Sequence, residues 1–200
     1  MGKGEETRTA ILEAATEAAA KGGLRGLTIG SLATATGLSK SGLFAHFRSK
    51  EALQLAVLAK ARSDFIDHVM RPTLKAPRGE PRLQELFRRW MAWDDQPGGC
   101  LFTAASSELD DEPGPVRDEL ARGESDWFDS IAQIVRGGIR EGHFKLDLDA
   151  EQFAFEFQGV LLAYHHAHRL LNTSRARDRA AIAMQRLVES AWATQAVVTV

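Results

Sequence analysis

The side chains best suited to chemistry lie in the segment SKSGLFAH, which begins at residue 39. Ser39, Lys40, Ser41 and His46 carry hydrogen-bonding groups at helical spacing. Hydroxyl, ammonium and imidazole groups on one helix face bind phosphate oxygens and the edges of bases in the major groove of DNA. The chemistry that these residues predict is therefore nucleic-acid recognition.

Two short helices joined by a tight corner must position these residues. Thr28 is placed to cap the first helix, and Gly37 ends it where a left-handed residue is needed. Leu38 is expected to be tucked into the corner, and Ser39 caps the second helix. The inward faces of the two helices are apolar and consist of Ile29, Leu32, Ala33, Leu43 and Phe47. This arrangement is typical of a helix-turn-helix.

Charge along the chain also indicates a polyanionic partner at one end. No acidic residue occurs between Glu17 and Glu51. The basic residues of this stretch are Lys21, Arg25, Lys40, Arg48 and Lys50. Residues 1–60 hold 8 basic and 5 acidic residues, whereas residues 61–200 hold 17 basic and 22 acidic residues. Basic groups can simply solvate exposed helices, but their position around a helix-turn-helix favours DNA binding.

The same segment resembles the N-terminal domain of TetR/AcrR-family transcriptional regulators. The match covers about residues 6–60 and rests on LT, GLSK, LFAHF and RSKEAL. The resemblance implies phosphate and base contacts at Thr28, Ser39, Lys40, Ser41, Phe44, Ala45, His46 and Lys50. Two positions depart from the family pattern. Phe44 stands where a tyrosine hydroxyl usually reaches a phosphate, and Gly30 stands where a long polar side chain is common.

Composition limits the class of protein. The chain has 200 residues, of which 44% are hydrophobic, enough for a substantial core. It contains no run of some 18 apolar residues and no signal peptide is expected from its MGKGEE start. One cysteine excludes an internal disulfide. These features predict a cytoplasmic protein.

Helical periodicity recurs along the whole chain and strand alternation does not, which predicts an all-α fold of about nine helices. A three-helix domain at residues 1–52 precedes a larger helical bundle at 53–200. Within that bundle, a helix from Ser49 is expected to end near Met70 because of Pro72. The last helix is expected to span about 175–196. The family resemblance implies the same architecture.

Quaternary structure is expected to depend on the last two helices. The first of them is apolar almost all round, so it must be covered on both sides. The predicted dimer interface consists of Phe155, Leu162, His166, Ala180, Met184, Leu187, Val188, Ala191 and Trp192. The alternative is that both are core helices of a monomer. A dimer is favoured because one helix-turn-helix reads too few bases.

Aromatic residues are concentrated in the middle of the chain. They predict either an effector pocket or ordinary core packing. The candidate pocket residues are Phe87, Trp90, Met91, Cys100, Thr103, Trp127, Phe128, Phe157 and Gln158. Family resemblance favours some cavity without saying which residues line it.

Other reactive residues carry weaker signals. His165 and His168 share a helix face, but His166 points in a different direction from His165 and a further carboxylate or thiol ligand would be needed, so no metal site is expected. Cys100 is interpreted as a small buried residue, with a redox switch as the alternative. No nucleophile and base pair or phosphate loop is present, so neither an enzyme nor a cofactor is expected.

These observations predict a transcriptional regulator, most simply a repressor. It would bind a palindromic operator in double-stranded DNA as a homodimer and be released by a largely apolar small molecule. The alternative is an effector-independent DNA-binding regulator whose C-terminal domain only dimerises or recruits a protein partner.

Overall fold

The computed structural model describes residues 3–193, which are helical apart from short connections. The helices are α1 Lys3–Gly22, α2 Ile29–Thr36, α3 Lys40–His46, α4 Lys50–Phe65, α5 Arg71–Lys75, α6 Glu80–Asp94, α7 Leu101–Leu109, α8 Pro115–Arg140, α9 Ala150–His165 and α10 Ala176–Ala191. A π-helical turn, Ile66–Met70, makes α4 and α5 one continuous helix. The described residues therefore form nine helices, and the predicted all-α fold is confirmed.

The prediction that Pro72 ends the fourth helix is wrong. Helical backbone continues past this residue to Lys75. The π-helical turn immediately before it places Pro72 in the first turn of α5, where a missing N–H does not interrupt the hydrogen bonding. A widened turn thus accommodates a residue that would otherwise stop the helix.

The last helix is shorter than the sequence suggested. It ends at Ala191, whose carbonyl accepts a hydrogen bond from the backbone N–H of Lys145 at 2.9 Å. Trp192 then leaves the helix and pairs with Phe144 in an isolated antiparallel bridge. This pairing competes with continued helix, so residues 192 and 193 are not helical. The remainder of the predicted helix, 194–196, lies outside the described residues.

The chain divides into two compact units. The first contains the described residues up to His68 together with Trp93–Glu124. Its core joins the helix-turn-helix to α7 through Leu32, Leu43, Leu101 and Leu109, all of them buried. The two helices of the helix-turn-helix, α2 and α3, are called the reading helices below. They are packed in one unit with α7 and do not form an isolated three-helix domain. The functional boundary expected after residue 52 stays a prediction.

The second unit contains Val69–Ala92 and the described residues from Ser125 onward. Helices α9 and α10 pack against each other within it. Its core includes Phe144 stacked on Phe153, with ring centroids 6.2 Å apart. No helix in the described part of the chain is long and apolar enough to span a membrane.

Candidate DNA-binding interface

Local capping interactions define both reading helices. The Thr28 hydroxyl accepts a hydrogen bond from the Ser31 N–H, and the Ser31 hydroxyl accepts one from the Thr28 N–H, both at 3.0 Å. This reciprocal pair is a capping box. Gly37 ends α2 with φ 70°, a conformation that favours glycine. Ser39 caps α3 by accepting from the Gly42 N–H at 3.1 Å. The predicted caps at Thr28 and Ser39 and the predicted end of α2 at Gly37 are confirmed.

Burial separates the two faces of α3. Leu43 and Phe47 are buried, as the spacing predicted, and they anchor α3 in the core of the first unit. Leu38 is 36% exposed, so the expectation that it is tucked into the corner is wrong. The buried residues of the two helices therefore hold the corner, and Leu38 stays at the surface.

The outward face of α3 carries the side chains that the resemblance implied. Lys40, Ser41 and Ala45 are exposed, and His46 is half-buried. Phe44 is 50% exposed on the same face. Thr28 and Lys50 are also exposed, at the starts of α2 and α4. The face is thus accessible to a groove of DNA.

Ion pairs within the chain neutralise some of the basic side chains that lie around the helix-turn-helix in sequence. Lys21 binds Glu17 at 2.6 Å, and the guanidinium of Arg25 is paired with Glu112. Among the described residues, Lys40 and Arg48 have no ion-pair partner. Positive charge available to DNA is therefore concentrated at the two ends of α3.

Gly30 has a specific relationship to Lys40. A Cβ built at position 30 would lie 3.8 Å from Lys40 Cε and 4.0 Å from its Nζ. The lysine side chain therefore extends over the first turn of α2. A long side chain at position 30, as is common in the family pattern, would compete with Lys40 for this space.

The corner between α1 and α2 is held by groups from two other helices. Gln54 of α4 donates through Nε2 to the carbonyl of Leu24 at 2.8 Å in a buried hydrogen bond. Lys50 Nζ donates to the carbonyl of Arg25 at 2.7 Å. From α7, Glu108 Oε2 accepts from the Arg25 N–H at 2.8 Å. Sequence reasoning missed Gln54 and Glu108, since no local pattern marks contacts across 30 and 83 residues.

Only part of the candidate effector set is brought together. In the second unit Phe87 meets Phe157 edge to face at 6.4 Å, and Trp127 Nε1 donates to Gln158 Oε1 at 2.8 Å. Trp90 and Met91 are buried and Phe128 is half-buried in the same unit. The structure places Cys100 and Thr103 in the first unit, on α7 and its N-cap. The pocket assignment stays a prediction.

Cys100 lies in an environment that suppresses thiol reactivity. Burial raises the pKa of its thiol above the ordinary value, and this effect exceeds the lowering by hydrogen bonds to Thr103. Because the thiolate is the reactive form, a raised pKa disfavours oxidation and alkylation. This supports the interpretation of Cys100 as a small buried residue.

The residues predicted for a dimer interface fall into two groups. Ala180, Met184, Leu187, Val188 and Ala191 are buried within the chain itself. Phe155, Leu162, His166 and Trp192 are exposed, with Phe155 at 67% and Leu162 at 42%. The indole Nε1 of Trp192 donates to Glu80 Oε2 at 2.8 Å. Within the predicted set, the exposed apolar residues of α9 are thus Phe155 and Leu162.

Comparison with known families agrees with this geometry. Residues 11–57 match the model described as bacterial regulatory proteins, tetR family. Residues 79–184 match the tetracyclin repressor-like C-terminal domain, which alone covers more than half of the chain. The first match contains α2 and α3, and the second contains most of α6 to α10.

Individual proteins show the same likeness. The chain is 28% identical over 161 residues to the HTH-type transcriptional repressor DhaR of Mycobacterium sp. (strain GP1), covering 78% of this chain and 80% of that protein. It is 22% identical over 197 residues to the regulator SrpR of Pseudomonas putida, covering 94% and 85%. A TetR-family regulator from Cytophaga hutchinsonii superposes with a TM-score of 0.85 at 19% identity, covering 98% and 99%. This chain belongs to the TetR family of DNA-binding transcriptional regulators.

Proposed function

We propose that the protein is a repressor that binds a palindromic operator as a homodimer and releases it when a small molecule binds. The observation that carries the proposal is the exposed face of α3, where Lys40, Ser41 and Ala45 project from a helix capped at both ends. Hydroxyl and ammonium groups suit phosphates and base edges, and the Ala45 methyl suits a thymine methyl.

Dimerisation is supported by an unpartnered apolar surface on α9 and α10. Phe155 and Leu162 are exposed on α9. Beside them lies a largely apolar groove of about 460 Å³, with small residues such as Gly159, Ala163 and Ala183 along it. Small residues allow close approach of a second helix pair, and a two-fold interface presents the same patch from both chains. We therefore expect α9 and α10 to pack against their counterparts in a second copy.

Release by an effector is supported by the position of α7. Its buried residues Leu101, Ala105 and Leu109 share a core with the reading helices. A ligand that displaces α7 would therefore change the position of α2 and α3, which together form the DNA-reading head of each chain. This change would add to any movement of α4. Two heads of one dimer match half-sites at one separation, so a shift of a few ångströms is enough to weaken binding.

Dimerisation is tested by Phe155→Glu in the full chain. The exposed charge should prevent association while leaving helicity unchanged, because Phe155 contributes little to the chain's own core. Gln152→Glu, an exposed change on the same helix, is the matched control. Sedimentation should show a monomer for Phe155→Glu with weakened operator binding, and a dimer for the control. A dimeric Phe155→Glu variant would place the interface elsewhere.

The effector is tested by a thermal-shift screen of small molecules, because a ligand that binds the folded state raises the melting temperature by mass action. Stabilising compounds are then added to the operator complex. Compounds that stabilise the fold and release DNA support the proposal. If no stabilising compound releases DNA, the effector-independent alternative is favoured.

The proposed change in the separation of the two DNA-binding heads has its own test. Cysteines placed at Ala45 in a Cys100→Ser background allow two heads to be cross-linked at the separation that fits DNA. The locked dimer should retain operator when effector is added. Release from the locked dimer would show that the effector acts by another change.

A further inference from the structure

A groove of about 440 Å³ in the second unit combines apolar walls with an excess of positive charge. Three arginines line it, Arg78, Arg82 and Arg140, and the acidic side chain among the lining residues is Asp129. The formal charge of the lining is therefore +2, in a chain whose formal net charge is −2.

Two of the arginines are available to a ligand. Arg78 and Arg140 are exposed, and neither has a hydrogen-bond or ion-pair partner among residues 3–193. A guanidinium presents several donors in a planar fork that fits a carboxylate in a bidentate manner. These two side chains can close on an anion from opposite elements, the loop before α6 and the end of α8.

The third arginine is fixed in place. Arg82 donates through Nε to the carbonyl of Ala76 at 3.1 Å and through Nη2 to the carbonyls of Leu74 and Ala76. These carbonyls lie at the C-terminal end of α5, where a cation is favourable. Arg82 therefore supplies a preorganised charge beside the groove, and little ordering is needed when an anion binds.

The loop that carries Arg78 is also held. The Glu80 N–H donates to His143 Nδ1 at 3.1 Å, and the Cα of Gly79 faces the same imidazole so closely that a Cβ would lie 2.2 Å from it. With φ 82°, Gly79 adopts a conformation that favours glycine. The backbone of the loop that carries Arg78 is thus held in place, and the exposed Arg78 side chain extends from a fixed position.

The remaining lining combines the polar residues Ser130 and Gln133 with apolar residues, and a glycine leaves space on the apolar side. Met70, Leu74 and Ile134 line the groove, and Leu74 is half exposed. Gly137 is buried, yet a Cβ built there would have no atom within 4 Å. The glycine therefore faces empty space that an alkyl chain could fill.

We propose that this groove binds a small amphipathic anion, with its carboxylate between Arg78 and Arg140 and its apolar chain over Gly137 and Leu74. Apolar walls with a few convergent charged groups are the usual composition of a small-molecule site of this volume. The site is separate from the aromatic pocket residues. Its existence does not depend on the proposed release of DNA, because ligand binding is measured on the chain alone.

The probe is decanoate below its micellar concentration, added to the full chain and followed by isothermal titration calorimetry. Decanol, which has the same chain without the charge, and decylamine, which has the opposite charge, are the comparison ligands. Decanoate should bind more tightly than decanol, and decylamine should bind weakest. Equal affinity for decanoate and decanol, or no binding of decanoate, would overturn the proposal.

Substitutions locate the bound probe. Arg78→Gln and Arg140→Gln should each weaken decanoate by a factor of roughly five to ten and leave decanol unchanged. Arg175→Gln, an exposed arginine outside the groove, is the matched control and should leave both ligands unchanged. If Arg175→Gln lowers the affinity for decanoate as much as Arg78→Gln does, the anion responds only to the overall electrostatic field of the protein. The proposed site would then be wrong.

Gly137→Leu tests the apolar end. Leucine favours helix more than glycine does, and its Cβ meets open space, so the variant should fold. Its side chain occupies the groove, and decanoate binding should fall by at least tenfold. Unchanged decanoate affinity in a folded Gly137→Leu variant would mean that the probe binds elsewhere.

Discussion

Glu108 on α7 accepts a hydrogen bond at 2.8 Å from the backbone N–H of Arg25, which lies in the corner between α1 and α2. The two residues are 83 positions apart in sequence. A Cβ at Gly23 would lie 2.3 Å from Glu108 Oε1, so the glycine is needed for the carboxylate to approach. With the Arg25–Glu112 ion pair, this contact ties the start of the helix-turn-helix to the α7 end of the same unit.

Glu108→Ala should loosen the reading head. Removing the carboxylate loses an exposed hydrogen bond to a charged acceptor, so we expect unfolding stability to fall by about 0.5 to 1.5 kcal/mol. Operator affinity should fall by a factor of roughly five, equivalent to about 1 kcal/mol. Denaturant melts and fluorescence anisotropy measure the two effects. The neighbouring exposed change Ser107→Ala is the control, and equal effects of both substitutions would contradict a specific role for Glu108.

Phe44→Tyr should strengthen operator binding. Phe44 is half exposed on the reading face, so a hydroxyl can be added without burying it. One new hydrogen bond to a phosphate is expected to contribute about 0.5 to 1.5 kcal/mol. Anisotropy titrations at a fixed salt concentration measure the change, with Phe44→Leu as the variant that adds no hydroxyl. Unchanged or weaker binding by Phe44→Tyr would mean that the ring does not lie near a phosphate.

Lys50 has two possible partners, the carbonyl of Arg25 within the chain and a phosphate of DNA. If it contacts a phosphate, Lys50→Ala should weaken all DNA sequences alike and reduce the salt slope by about one unit. The same substitution should lower stability because the hydrogen bond to Arg25 is lost. Lys40→Ala, whose lysine has no ion-pair partner among the described residues, should reduce the salt slope without lowering stability. If the salt dependence of DNA binding is unchanged in Lys50→Ala, this lysine stabilises the fold through its hydrogen bond to Arg25 and does not contact a phosphate.

Glu124→Gln should raise stability at neutral pH. Burial raises the pKa of the Glu124 carboxyl, so the folded state favours its protonated form. Because the folded pKa lies above the unfolded one, the stability contributed by this group is present at acidic pH and is lost as pH rises through the raised pKa. The neutral amide avoids that loss. Melting temperatures between about pH 4 and 8 should show an advantage for Glu124→Gln that grows with pH, whereas exposed Glu141→Gln should show none.

The sequence predicted the reading helices well because their signals are local. Capping by Thr28 and Ser39 and the left-handed Gly37 each depend on residues within a few positions. Local rules failed at Pro72, because the π-helical turn that ends two residues earlier, at Met70, changed which backbone N–H groups were required. The periodicity of apolar residues does not reveal such a turn, because the turn changes the backbone hydrogen bonding and leaves the residue types as they are.

Contacts between distant segments were beyond sequence reasoning for a different reason. The end of α10 is set by the pairing of Trp192 with Phe144, and nothing near either residue indicates the other. Placement of α7 in the unit of the reading head likewise depends on how Leu101 and Leu109 pack. Helical periodicity predicts a helix in this part of the chain, but it does not show against which other helix its leucines pack.

The most direct test of the central claim is selection of bound sequences from a random DNA pool by the purified full chain. We expect an enriched palindrome whose half-sites lie about one helical turn or a multiple of it apart, bound by two chains. A variant with His46→Ala should enrich altered bases at fixed positions of each half-site. Enrichment of a single unpaired half-site, or no enrichment at all, would contradict a dimeric DNA reader that uses α3.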